Sequence, residues 1–581
     1  MKERSYIIKI LLMILGAVTL LNARASFAPY LIACLYAFYC IMKIRQDNVA
    51  TLSKLSRRLT CAASALAALF ILLASYGIWL HPTLPDVRSS LFVRLYKLIL
   101  IFVIFAGSFV CANSILTYVC FSKKAFSFCG SPARDKALRF FLIPFCIIAV
   151  IYLTVWYCCY YPGLMSLDSM DQIAQIFSGE YSNHQPFYHT LLIGVFVRAG
   201  LALFGTMNAA IALYVIVQIL FMAATFAFTV YNLSKMRLPL SAIVISTLWY
   251  AVMPFHIMFS FTVWKDVYFG AFVTLLIVFF IRIMNGIGNR IANLVGFSLC
   301  GPFICLLRSN GLFAYVFILL AVILLARAHK ELIVIMAVTI VAAFVLKHSV
   351  LAAYNVTQPD TVESLSIPLQ QVARVVYDDG VMTPEDTELL SNIIDVSAIK
   401  DNYDPNISDP IKNMIRDFGN QSFLTENMGE YAGLYVRTFL KNPMTYIVAW
   451  VDSTCGYWNS GYNYWVWYWD VESNSFGISR QIASQGALRF MDEYLWLFYN
   501  TGIFGIFTAI GLFVWIAMLA FAKCIANGNR AGIISMILIF AIWLSLLISS
   551  PVFAEFRYMY ALFCALPILL AVSADRKEDR S

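Results

Sequence analysis

From one end of the chain to the other, apolar runs recur, separated by short polar stretches. Each is roughly 18 to 25 residues long, the length an α-helix needs to cross the hydrocarbon core of a bilayer. In hydrocarbon every backbone N–H and C=O must find a partner inside the structure, which leaves helices and closed barrels as the spanning forms; runs this long select helices. Composition agrees, with 61% of the 581 residues hydrophobic and 13% charged, against about 25% charged in soluble domains. The sequence therefore predicts an all-α polytopic membrane protein. About fourteen segments meet the length rule: 6–22, 27–43, 60–80, 95–121, 140–160, 208–231, 238–259, 267–284, 291–307, 311–328, 332–352, 500–522, 532–549 and 558–574.

A net charge of +9 would suggest nucleic acid as the partner of a soluble chain. Here the cations sit in short loops, where they set orientation against the membrane lipids, and no nucleic acid is expected. Lys43, Arg45, Lys54, Arg57 and Arg58 follow the second segment, and Lys123, Lys124, Arg134, Lys136 and Arg139 follow the fourth. Both loops are expected to be cytoplasmic, as are both termini, the latter including Arg576, Lys577 and Arg580. The apolar stretch 186–204 is the ambiguous one. If it crossed, Lys235, Arg237, Arg282 and Arg290 would lie outside; if it only lies on or dips into the membrane, they join Arg327, Lys330, Lys523 and Arg530 inside. The charge rule favours a non-spanning helix.

Four units follow: extra transmembrane helices over 1–139, a transmembrane core over 140–352, an acidic outer domain of mixed helix and loop over 353–499, and final spans over 500–581. The fourteen cysteines show neither a CxxC pair nor a zinc spacing.

Four polar clusters fall on the expected outer side. The first is in the loop 161–190, where Asp168, Asp171, Gln172 and Gln175 occupy one face of a predicted amphipathic helix. Leu164, Leu167, Met170, Ile173, Ala174 and Phe177 occupy the other, Ser166 is positioned to cap and Gly179 to end it. His184-Gln185-Pro186 comes next. The second cluster is Trp264-Lys265-Asp266, the third Arg308-Ser309-Asn310-Gly311, and the fourth Glu555, Arg557 and Tyr558. Singly, each has an ordinary explanation: a helix dipole, an interfacial Trp–Lys anchor, a tight turn, a structural ion pair. Together they place a few cations at span ends beside acids or amides, where phosphate is the natural partner.

These stretches, PG…SxDxxxQ, His-x-Pro, WKD, RxNG and EFRY, resemble the GT-C superfamily of membrane glycosyltransferases over roughly 140–330 and 540–574. The resemblance implies a GT-C-like helical bundle with its active site at the outer face of the plasma membrane. It implies a polyprenyl-phosphate-linked sugar as donor and a glycan, lipid or protein as acceptor. Asp168 then matches the acid proposed to deprotonate the acceptor. Lys265 and Arg308 match positions that hold the donor phosphate, Asp266 a supporting or metal-binding position, and His184 the His-x-Pro position.

Sugar transfer with inversion would use Asp168 as base with Asp171 in reserve, and Lys265, Arg308 and Arg557 as phosphate ligands. Asn310, Glu555 and Tyr558 would support them. A divalent metal ion is compatible with this chemistry, but no ligand set in the sequence identifies one. The aromatic run Tyr457 to Trp469 reads equally as a sugar-stacking surface or an interfacial belt. The competing readings are a transporter or flippase of a lipid-linked saccharide, disfavoured by charge-free span interiors, and a non-catalytic saccharide-binding relative.

Overall fold

The computed structural model describes residues 2–20, 27–46, 54–80, 91–122, 138–462, 464–465 and 467–574. Lys123, Lys124, Arg134, Lys136, Arg576, Lys577 and Arg580 of the orientation argument lie outside them. Among the described residues the architecture is helical, with isolated bridges but no β-strand.

The long N-terminal helices among the described residues are α1 (Lys2–Leu20), α2 (Phe27–Gln46), α3 (Lys54–Ala74) and α4 (Leu91–Phe121). The first three each pack on α4, and a small separate core around Met13, Ala37, Cys40 and Val119 joins α1, α2 and α4. The main bundle comprises α5 (Arg139–Cys159), α6 (Leu167–Ser178), α7 (Phe187–Phe204), α8 (Met207–Lys235), α9 (Leu240–Val252), α10 (Pro254–Ser260), α11 (Lys265–Met284), α12 (Arg290–Leu307), α13 (Ser309–Leu325) and α14 (Lys330–Val345). After a helical insertion that includes α15 (Ser366–Tyr377), α16 (Met428–Lys441), α17 (Pro443–Thr454) and α18 (Gln485–Asn500), it closes with α19 (Ile510–Ala526), α20 (Arg530–Ser549) and α21 (Tyr560–Ala574). Central α11 packs against α8, α12, α20 and α21. Residues 362–446 enclose a second core of their own.

Within the described residues each expected segment falls largely on helix, but the count of fourteen spans is not confirmed. Among the described residues, ten helices are long and apolar enough to cross a membrane, or up to twelve if each of two bent pairs is one span. The expected span 311–328 maps to the shorter helix Ser309–Leu325, and 6–22 and 27–43 fall on α1 and α2. Two others are broken. The segment 238–259 bends by 52° between Val252 and Pro254. Proline lacks the amide the helix would need there and forces the residue before it out of the helical region, as Met253 shows with ψ 127°. The segment 500–522 bends by 62° between Thr508 and Ile510.

Helix α7 passes the length test, yet both its ends adjoin the same end of the bundle. At its start, Phe187 packs on Tyr354, just past the helix that follows α14. At its finish, Gly200 lies so close to Ala210 of α8 that a Cβ would sit 2.4 Å from the Ala210 Cα, and Asn208 bonds Ser479. Small residues permit such close backbone approach between membrane helices. The opposite end of the bundle collects Lys235, Arg282, Arg290, Lys330, Lys523 and Arg530 at helix termini. There Arg282 donates to Asn232 and Asn293, tying α8, α11 and α12 together.

Gly311 shows how tightly the other end is built. A Cβ there would fall 2.0 Å from the Ile304 carbonyl oxygen and 3.0 Å from the Phe269 ring. Gly311→Ala is expected to push α13 off α12 and to destabilise the protein by roughly 1–3 kcal/mol, the usual cost of overpacking. Thermal unfolding in detergent reads this directly; an unchanged midpoint would contradict the close contact.

Candidate functional site

The four polar clusters meet at one end of the bundle. Backbone pairing brings the first two together: Leu164 N–H donates to Phe261 O at 2.9 Å, and Val263 N–H to Leu164 O at 2.9 Å. Ser169 locks the register by donating to Val263 O at 2.7 Å. Ser166 begins α6 without a side-chain cap bond; its hydroxyl instead accepts the Trp264 indole N–H at 2.9 Å. Gly179 ends α6 as expected, at φ 75°.

The face of α6 is turned from the one the spacing suggested. Ser169, Met170, Gln172, Ile173 and Ile176 are buried, while Leu167 and Phe177 are exposed. Gln172 faces inward because partners await it there. Its amide donates to Thr190 Oγ1 at 3.0 Å and its carbonyl lies 2.9 Å from His189 Nδ1, whose Nε2 meets the Tyr214 hydroxyl at 3.0 Å. This buried network pins α6 to α7 and α8. Asp168 remains part-exposed and Asp171 exposed.

Arg557 Nη1 donates to Asp168 Oδ2 at 2.8 Å, and Glu555 lies 3.6 Å from Arg557 Nε. Arg308 pairs with Asp266, and Lys265 donates to Gln185. Both guanidiniums lie against the Tyr558 ring, with Arg308 at 4.7 Å and Arg557 at 5.4 Å from its centroid. Trp264 takes Arg557 on its own face at 5.0 Å. The aromatic faces offset the repulsion that two neighbouring guanidiniums would otherwise feel. Lys265 stands within electrostatic reach of Asp168, Asp266, Arg308 and Arg557. Asp168, Lys265 and Arg308, drawn from three distant stretches, thus share one cluster.

Exposure divides the cluster into layers. The Arg308 and Asp266 side chains are 10% and 1% exposed; Arg557 and Asp168 are 20% and 32% exposed. The first pair is a floor and the second lies at the opening. Burial works to raise the Asp168 carboxyl, but Arg557 and then Lys265 outweigh it and hold it below the ordinary aspartate value. Asp171 goes the other way, raised by burial and by the charge of Asp168. Glu555 is raised too, chiefly by burial, which the charge of Arg557 only partly offsets.

The remaining expected residues are placed as follows. His184 is exposed, in electrostatic reach of both Asp168 and Asp171. Asn310 points away from the cluster and donates to Ser545 of α20 at 2.9 Å. Trp264 is 3% exposed and is no interfacial anchor. Half of the aromatic run is likewise no surface belt, since Tyr457, Trp458, Trp465 and Trp467 are buried. Gln185, the middle residue of His-x-Pro and one the sequence gives no role, is the partner of Lys265. Among the described residues, no three His, Cys, Asp or Glu side chains converge as a metal site requires.

Residues 176–581 match a family profile, and that match covers more than half of the chain. The chain belongs to the DUF6020 family. That family is described as one of unknown function. The matched range contains Lys265, Arg308 and Arg557 and begins after Asp168 and Asp171. No curated protein and no solved structure matches the chain.

Proposed function

We propose that this DUF6020 protein is a membrane glycosyltransferase of GT-C type, moving a sugar from a polyprenyl-phosphate donor to an acceptor at the outer face of the plasma membrane. The observation that carries the reading is the Asp168–Arg557 contact at the opening of the cluster, with Lys265 beside it. A base and the cations needed by a phosphate leaving group are adjacent, at the end of the bundle opposite the loop cations. Positive residues gather on the cytoplasmic side of membrane proteins, which supports an outward-facing cluster and an outer position for the insertion between α14 and α19.

The donor phosphate competes with Asp168 for Arg557, since phosphate takes a guanidinium bidentately. Arg557 and Lys265 then stabilise the negative charge that gathers on the phosphate oxygen as the bond to the anomeric carbon breaks. That carbon takes on oxocarbenium character. The acceptor hydroxyl forms the new bond from the opposite face while its proton passes to Asp168, giving inversion. Arg308, committed to Asp266, holds Tyr558 in place behind Arg557. Asp171 is the reserve base, and His184 and Glu555 border the acceptor side.

Titration of undecaprenyl phosphate into the purified protein tests the phosphate assignment. Arg557→Ala is expected to weaken binding about tenfold or more, the worth of one charge-assisted hydrogen bond at roughly 1.5–3 kcal/mol. Lys265→Ala should do the same. Undiminished affinity in both variants would remove the phosphate role. Orientation has its own test, on a background without reactive native cysteines. Asp379→Cys, 80% exposed in the wild type, should label from outside the cell, and Lys235→Cys should not. The reverse pattern would put the cluster in the cytoplasm.

A further inference from the structure

Over the described residues 458–462, 464–465 and 467–471 the chain runs without helix. It is tied down beside α6, where Met165 N–H donates to Asp470 O at 3.4 Å and Glu472 N–H to Met165 O at 3.1 Å. Alternate side chains of this extended strap point to opposite faces. On the cluster side, Tyr468 packs on Trp264 at 5.5 Å and lies near Asp168 and Arg557. On the other side the tryptophans form a ladder. The ring centroids of Trp465 and Trp467 are 4.3 Å apart, those of Trp467 and Trp469 4.9 Å, and those of Trp467 and Tyr499 of α18 5.1 Å.

The ladder has a feature that packing does not explain. Trp465 and Trp467 are 2% and 8% exposed, yet neither indole N–H has a hydrogen-bond partner. A buried donor left without an acceptor costs about 1–3 kcal/mol, and tryptophan N–H groups are usually paired when buried. Trp469 and Tyr499, at 48% and 61% exposed, leave the ladder open at one edge. A ligand that suits it must lay apolar C–H faces against rings and offer oxygen acceptors to indole N–H groups. Pyranose rings do both, and the ladder presents more ring surface than one pyranose covers.

We propose that the ladder is a saccharide subsite that holds the acceptor, a glycan chain of several sugars. This inference rests on the transferase reading, and it narrows the acceptor from glycan, lipid or protein to a glycan. The terminal hydroxyl of such a chain reaches Asp168 around the edge of the strap, past Tyr468.

The test is calorimetric titration of the full-length protein in detergent with oligosaccharides of two to eight residues, released from the surface glycans of the same cells. The wild type is expected to bind them saturably. Trp467→Phe, which keeps a ring and removes the N–H, and the doubly exposed Trp469→Ala/Tyr499→Ala variant should each lose at least tenfold in affinity. No saturable binding by the wild type, or undiminished binding in both ladder variants, would overturn the proposal. Failure of the phosphate reading appears separately, as undecaprenyl phosphate binding indifferent to Arg557.

Discussion

Asp168→Asn is expected to abolish sugar transfer, by at least about a thousandfold, while the protein still inserts and elutes as the wild type does. A positioned base contributes about 10²–10⁴-fold, and the amide keeps the shape of the carboxylate while losing its basicity. Asp171→Asn should cost far less, because Asp171 is exposed and makes no contact with Arg557. The pH dependence separates the two carboxylates. Asp168 lies below the ordinary aspartate value once Arg557 and Lys265 outweigh its burial. A depressed folded value means that its ion-pair contribution is fully present above the unfolded pKa of about 3.9 and is lost as pH falls through the lower folded value. In the free enzyme, the acid limb of kcat/KM should therefore lie below the ordinary aspartate range. If Asp171 were the base, its raised value would move the limb above that range. Full activity in Asp168→Asn, or a limb above the ordinary aspartate range, would remove Asp168 from the role.

Asp266→Ala is expected to destabilise the protein by about 3–5 kcal/mol, because it leaves the Arg308 guanidinium buried without its counter-ion. The reverse change, Arg308→Ala, strands Asp266, whose second oxygen already lacks a hydrogen-bond partner. Replacing both, as Asp266→Leu/Arg308→Met, should recover most of the loss, since a buried pair exchanged for apolar groups of similar volume is often close to neutral. Thermal unfolding in detergent compares the three. Equal midpoints for the wild type and Asp266→Ala would show that the pair is not the floor of the cluster. Retained stability in the double variant combined with lost undecaprenyl phosphate binding would move Arg308 from the floor to the phosphate itself.

The membrane class and the residues of the cluster were legible because each rests on a local signal. Apolar length marks a helix, and a cation at a span end beside an acid marks a group that needs a partner. The pairing was not legible. Asp168 and Arg557 are 389 residues apart, and which cation meets which acid depends on how α6, α11 and the start of α21 are brought together. The inward turn of Gln172 escaped for a similar reason. Helical spacing groups it with the acids, but His189 and Thr190 on α7 supply partners that no periodicity reveals. Pro254 could have broken the segment 238–259 on sight, whereas the bend near Ala509 has no proline or glycine at the break. The span count suffered from a further limit. Hydropathy measures apolar length, and helices such as α7 and α13 are apolar whether they cross a bilayer or pack beside helices that do.

The proposed donor chemistry is tested most directly in cells, by mass spectrometry of surface glycans and polyprenyl-linked sugars with and without the protein. Loss of the protein should remove one sugar from a surface glycan and cause the matching polyprenyl-phosphate sugar to accumulate, and Asp168→Asn should reproduce both effects. Unchanged glycans and unchanged lipid-linked sugars would contradict a transferase. Restoration of the glycan by Asp168→Asn as fully as by the wild type would do so as well.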